Sequence, residues 1–183
     1  MVHEEKTLST EMIYEGAILN LRKDRVTVIG DKESYREIVE HNGGVAIAAI
    51  TEDGNILLVN QFRKAAEQVV LEVPAGKIEK GEPEPLATAK RELKEETGYT
   101  AANWRWLSSF YSSIGYSTEK IHLYLATDLT PGETEFDDNE AIDLVELDLK
   151  EAKNQVLAGK IMDAKTIAAI LLAESEQGIE RIR

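Results

Sequence analysis

Gly76-Lys77-Ile78-Glu79-Lys80-Gly81-Glu82, then eight residues, then Arg91-Glu92-Leu93-Lys94-Glu95-Glu96-Thr97-Gly98-Tyr99 is the stretch on which the reading of this chain turns. Leu86–Thr97 has the punctuation of a helix. Pro85 supplies the φ of a first turn, where no N–H partner is needed, and Gly98 suits the left-handed residue that closes a helix. Leu86, Ala89 and Leu93 share one face and predict the side that packs. Glu92 and Glu96 are i and i+4, and Glu95 is i+3 from Glu92, so the three carboxylates crowd one region of the helix surface. Such like charges repel by roughly 0.2–0.5 kcal/mol per pair in an exposed helix. A solvated acidic face with Lys90 and Lys94 interspersed would account for the carboxylates alone. The glycine-bearing loop that runs straight into the helix adds backbone oxygens beside them. Hard divalent cations, Mg²⁺ above all, take oxygen ligands of this kind.

Outward from this stretch the chain alternates strands with a few helices. Val69–Val73 is a short strand stopped by Pro74, and residues 74–85, with Pro74, Gly76, Gly81 and Pro83, read as a loop. Upstream, the apolar run Val45–Ile50, the Asp53-Gly54 turn and Asn55–Asn60 predict a buried hairpin. Ala17–Ile29 and Ser34–Glu40, around Gly30-Asp31-Lys32, predict a second hairpin in an otherwise polar N-terminal region. A sheet that small buries little alone and must pack on the rest of the chain or on a second copy. Downstream, Trp104–Tyr111, Lys120–Ala126 and Ile142–Leu149 read as strands and Thr130–Asn139 as an acidic loop. Leu149–Gly159 and Asp163–Glu174 read as closing helices. The pattern is α+β or α/β/α layering.

Composition narrows the function. The chain has 183 residues, 21 Lys and Arg against 34 Asp and Glu, a net charge of −13 and no cysteine. Absence of cysteine excludes a disulfide framework, a thiolate metal site and a cysteine nucleophile. The acidic balance argues against binding nucleic acid or a membrane surface by charge, but not against an anionic substrate reached through a divalent cation. No run approaches ~18 apolar residues. Residues 1–10 (MVHEEKTLST) lack the basic-then-apolar pattern of a secretion signal, which predicts a cytoplasmic protein. His3, His41 and His122 are scattered and support no histidine metal site or triad. Gly43-Gly44 is followed by no helix with Lys-Ser/Thr and is no phosphate loop. Trp104 and Trp106, alternating with Arg105, read as core or dimer-interface residues, with stacking of one of them on a base as the alternative.

The quoted stretch resembles the signature of the Nudix hydrolases, G-x5-E-x7-R-E-U-x-E-E-x-G-U with U bulky and apolar. Here eight residues rather than seven separate Glu82 from Arg91, an extra residue assigned to the proline-bearing turn ahead of the helix, and Tyr99 takes the last apolar place. The resemblance implies an α/β fold, an α/β/α sandwich with a mixed sheet, carried by residues 43–183 and preceded by an N-terminal β-strand extension, residues 1–42, that helps form a homodimer. It implies Glu92 and Glu96 as main metal ligands, Glu95 as an additional one and the Ala75 carbonyl beside them, with Mg²⁺ as cofactor and Mn²⁺ as an alternative. Arg91 is implied to orient a glutamate of the signature.

Gln61-Phe62-Arg63, Leu71-Glu72-Val73-Pro74-Ala75-Gly76-Lys77 and Asp163-Ala164-Lys165-Thr166 are similar to the ADP-ribose pyrophosphatase subgroup. That likeness implies hydrolysis of the pyrophosphate bond of ADP-ribose to AMP and ribose 5-phosphate. Arg63 would contact substrate phosphate or the dimer partner, and Glu72 the adenine or ribose. The base would come from the acidic loop, Glu140 first and Asp138 second. Ile114 stands where the subgroup usually has the proline of a Ser-Pro-Gly loop, which brings other nucleoside diphosphate sugars, ADP-glucose and GDP-mannose, into consideration. A Nudix domain that binds a nucleotide and regulates a partner without hydrolysis is the reading from another class; the retained Glu92, Glu95 and Glu96 speak against it.

Overall fold

The computed structural model describes residues 3–30, 32–81, 84–133 and 142–180. The chain forms two compact units, Met1–Gly43 with Tyr111–Lys120, and Gly44–Phe110 with Ile121–Arg183. In the first, β1 (Thr7–Glu15), β2 (Asn20–Val28) and β3 (Lys32–Glu40) form an antiparallel sheet in that order. The β2–β3 hairpin runs in unbroken register from Val28 opposite Lys32 to Asn20 opposite Glu40, with Gly30 at φ +75° in its turn. Strand β1, which the N-terminal polarity concealed, has every residue exposed. Asp24 is buried on β2, where it accepts a hydrogen bond from Thr10 Oγ1 at 2.8 Å. Residues 111–120 join this unit through β3: Val39 N–H donates to Tyr116 O at 2.8 Å, and Thr118 N–H to Val39 O at 2.9 Å.

The second unit contains β4 (Gly44–Ala49), β5 (Asn55–Arg63), β6 (Gln68–Glu72), β7 (Ala75–Lys77), α1 (Pro85–Thr97), β8 (Thr100–Tyr111), β9 (Lys120–Thr130), β10 (Ile142–Asp148), α2 (Leu149–Leu157) and α3 (Ala164–Glu180). Its four-stranded sheet has the order β7-β4-β9-β8 and is mixed, since β4 runs parallel to β9 and antiparallel to β7. A second sheet has the order β10-β5-β6.

Strand β4 explains the layering. Successive side chains of a strand point to opposite faces. Val45, Ile47 and Ala49 join Ala89 and Leu93 of α1, while Ala46 and Ala48 join Ala152 of α2 and Ala169, Ile170 and Ala173 of α3. A strand covered on both faces needs an unbroken apolar run, which is what Val45–Ile50 supplies. This is the expected α/β/α sandwich.

Two expectations are corrected. The hairpin of Val45–Ile50 with Asn55–Asn60 does not form; the strands share only the bridge between Ile50 and Ile56 and lie in different sheets. The reason is edge occupancy: β7 and β9 take both edges of β4, and β6 and β10 take both edges of β5. Residues 74–85 are not wholly loop, because Ala75–Lys77 adds as a short strand along Gly44–Ala46. Gly44 permits the approach, since a Cβ there would stand 2.8 Å from the Gly76 carbonyl oxygen.

Candidate active site

Helix α1 begins at Pro85 and is closed after Thr97 by Gly98, which takes φ +75° and returns its N–H to Lys94 O at 2.8 Å. The buried apolar stripe of Ala89 and Leu93 fixes its rotation, and Glu92 and Glu96 are turned toward β7. The Glu92 carboxyl group lies directly on Gly76: a Cβ on that glycine would overlap it. Any side chain at position 76 would therefore displace the carboxylate, a physical reason for glycine at that point of the signature. Glu96 is only 4% exposed, and its Oε2 accepts the Ala75 backbone N–H at 3.0 Å. Arg91 bridges the other two acids, Nη2 to Glu92 Oε1 at 2.8 Å and Nη1 to Glu95 Oε2 at 2.7 Å. Tyr99 packs partly buried against the α1 core, filling the bulky apolar role of the last signature position.

The donor set consists of carboxylate and backbone oxygens, which fits a hard divalent cation and suits a soft one poorly. Among the described residues no three Asp, Glu or His side chains already stand at ligating separation. Glu92 and Glu95 are instead spanned by Arg91, and Glu96 is turned to Ala75.

A second polar cluster adjoins the first. Arg63, at the end of β5, forms a two-pronged pair with Glu72, at the end of β6: Nε to Oε1 at 2.6 Å and Nη2 to Oε2 at 2.8 Å. Lys165 Nζ bonds to the same Glu72 Oε2 and to Asp163 Oδ2, the latter at 3.1 Å. Asp163 caps α3 by accepting Thr166 N–H at 3.0 Å and Thr166 Oγ1–H at 2.6 Å, and Thr166 Oγ1 accepts the Val73 N–H at 2.9 Å. Burial pushes the Glu72 carboxyl upward, but Arg63 and Lys165 outweigh it and hold the group below the ordinary carboxylate range. The hydrogen bond with Glu72 raises the Arg63 guanidinium further, against desolvation, and the chain joins the two clusters, since Glu72 stands just before Val73, Pro74 and Ala75, whose N–H bonds to Glu96. The Glu72 side chain is 3% exposed, so an adenine or ribose contact of the kind expected for it would have to displace one of these cations. Arg63 is 43% exposed.

Of the remaining candidates, Ile114 lies in the other unit, 78% exposed on a turn where Tyr116 N–H donates to Ser113 O at 3.1 Å. Asp138, Glu140 and Glu82 lie outside the described residues, as does Pro83 in the turn that carries the extra residue of the signature. His122 bonds to Ser109 Oγ through Nδ1 at 2.9 Å. Trp104 meets Tyr124 edge-on, with ring centroids 6.5 Å apart, in the α1 core. A cavity of about 450 Å³ beside Trp104, Arg105, Leu125 and Glu176 includes none of the candidate residues. Lys165 and Thr166 carry no role in the sequence reading; Asp163 ahead of the apolar helix, an N-cap residue, is the signal that points to this turn.

A mixed-sheet sandwich with two glutamates of one helix laid on a glycine-bearing strand, and a third joined to them through Arg91, defines a class, and comparison with known proteins agrees with it. The NUDIX domain family matches residues 40–169. The chain belongs to the Nudix family. It is 43% identical over 179 residues to the methanol dehydrogenase activator of Bacillus methanolicus, covering 97% of this chain and 96% of that protein. It is 42% identical over 179 residues to the ADP-ribose pyrophosphatase of Bacillus subtilis (strain 168), with the same coverage of both. A solved structure described as an ADP compounds hydrolase has the same fold, with a TM-score of 0.85 at 21% identity over 98% of this chain and 97% of that one. Among the described residues no helix is long and apolar enough to cross a membrane.

Proposed function

We propose that this chain hydrolyses the pyrophosphate bond of ADP-ribose, consuming one water and giving AMP and ribose 5-phosphate. The observation that carries the proposal is that Glu92 and Glu96 of α1 lie against the Gly76 and Ala75 backbone, with Glu95 of the same helix joined to Glu92 through Arg91. Identity above 40% to a relative named ADP-ribose pyrophosphatase, along nearly the whole of both chains, supports the choice of substrate.

Glu92, Glu95 and Glu96, with the Ala75 carbonyl, are the residues that would hold Mg²⁺, or Mn²⁺ as an alternative. When bound, the cation neutralises diphosphate charge and makes a water more acidic. Arg91 orients Glu92 and Glu95, whose charges it already spans. Arg63 has one guanidinium edge clamped by Glu72, and its Nη1 makes no hydrogen bond among the described residues, which suits it to a phosphate oxygen. Glu72 acts through Arg63. Glu140, with Asp138 second, takes the proton from the attacking water. The exposed strand β1, with Leu8, Met12, Ile13 and Tyr14, is the surface assigned to a homodimer contact, and the cytoplasm is the assigned compartment.

The relative named as a methanol dehydrogenase activator supports a second reading, action on a partner dehydrogenase. A hydrolysis panel separates the two. ADP-ribose, ADP-glucose, GDP-mannose, NADH and diadenosine polyphosphates are offered with Mg²⁺ to the wild type and to Glu96→Gln. ADP-ribose is expected to lead. A leading GDP-mannose or ADP-glucose would move the specificity and make Ile114→Pro the next variant. No turnover of any of these, with stimulation of a dehydrogenase, would overturn the hydrolase reading.

A further inference from the structure

We propose that Lys165 is a positioning residue for Arg63: from the first turn of α3 it fixes the Glu72 carboxylate on which the Arg63 guanidinium is held. The proposal deepens the reading of Arg63 as a contact to substrate phosphate and rests on it for its kinetic consequence.

The bonds form a closed ring. Glu72 Oε2 meets Lys165 Nζ, Lys165 meets Asp163 Oδ2, Asp163 Oδ2 takes both the N–H and the hydroxyl of Thr166, and Thr166 Oγ1 takes the N–H of Val73, the residue after Glu72. The Glu72 side chain and the adjoining backbone are therefore both tied to the same helical turn. Thr166 is fully buried and the Lys165 side chain only 16% exposed, so the ring is built into the wall rather than solvated. Arg63 alone could satisfy each Glu72 oxygen once, but a carboxylate held only by a long, 43%-exposed side chain can follow that side chain as it moves. Lys165 removes that freedom. Two carboxylates, Glu72 and Asp163, face two cations, Arg63 and Lys165, which keeps the buried group compensated. A fixed carboxylate in turn holds the guanidinium in one pose, which lowers the ordering cost of receiving a phosphate oxygen.

The test compares Lys165→Met, which keeps the aliphatic stem without the charge, with Lys165→Arg and Lys165→Gln. Two readouts are taken: steady-state kinetics on ADP-ribose with Mg²⁺, and solvent exchange of the Arg63 Nε–H by ¹⁵N NMR, assigned with Arg63→Lys. Lys165→Met is expected to raise KM about tenfold with kcat within about threefold, and Lys165→Arg to bring KM most of the way back. Arg63 Nε–H exchange is expected to speed up in Lys165→Met and to slow again in Lys165→Arg. If Lys165→Met does not fold, Lys165→Gln carries the same expectations. Unchanged exchange in a folded variant overturns the proposal, whatever KM does. Faster exchange with unchanged KM upholds the positioning and overturns the substrate contact of Arg63. If the wild type cleaves no ADP-ribose, the proposed function falls, and the exchange measurement still decides the role of Lys165.

Discussion

The Ala75 backbone N–H donates to Glu96 Oε2 at 3.0 Å, tying the last turn of α1 to the strand that carries the signature glycine. Glu96→Gln tests charge and tether separately, because the amide oxygen of glutamine can still accept from Ala75. The variant is expected to keep its melting temperature within a few degrees and to lose about 10²–10³-fold in kcat with Mg²⁺. Glu96→Ala, which leaves the Ala75 N–H without its acceptor, is expected to cost a further ~1–3 kcal/mol in urea unfolding.

Gly76→Ala places a methyl group where the Glu92 carboxyl group lies. The atoms nearest to that methyl group all belong to the Glu92 side chain, so the collision falls on the acid rather than on the core. The expected outcome is a folded protein by circular dichroism, with apparent Mg²⁺ affinity from activity titration weakened about tenfold or more.

Glu72 carries a pH signature. Its folded-state pKa lies below the ordinary glutamate value of 4.5, through Arg63 and Lys165 against the opposing effect of burial. A lowered carboxylate binds protons less readily when folded than when unfolded. Its contribution is therefore complete above the unfolded value and is lost as pH falls through the folded one. The melting temperature should decline on acidification below that ordinary value, and Glu72→Gln should flatten the decline while lowering stability at neutral pH. Thermal melts across that range check both.

Leu93 is completely buried on the sheet-facing side of α1, in the cluster with Val45, Ile47 and Ala49. Leu93→Ala is expected to cost ~2–5 kcal/mol by denaturant titration. A loss far below that range would mean that α1 is held mainly by its polar contacts to β7.

What could be read in advance was what short-range chemistry determines. Pro85 and Gly98 delimit α1 because a first-turn proline and a left-handed terminal glycine act within a few residues, and the helix starts and stops where they stand. The carboxylate face was legible because i, i+4 spacing is a property of the helix itself. Pairing of β4 and β5 was misread because nearness in sequence suggests a hairpin, whereas both strands had stronger partners for both edges, as far away as Ile121–Ala126 for β4. Strand β1 escaped notice because with neither face buried it lacks a burial-driven alternation. The Glu72 cluster was illegible for the same reason of distance: Lys165 is 93 residues away, and only the folded chain brings the two together.

Strand β4 is a wall common to two apolar interiors, and that has a bearing on how the molecule comes apart. Stripping away α1 exposes Val45, Ile47 and Ala49; stripping away α2 and α3 exposes Ala46 and Ala48 of the same strand. Neither helical layer can detach without removing support from the strand on which the other rests. The second unit should therefore melt in one cooperative step, with the backbone amides of Val45–Ala49 among the last to exchange with solvent.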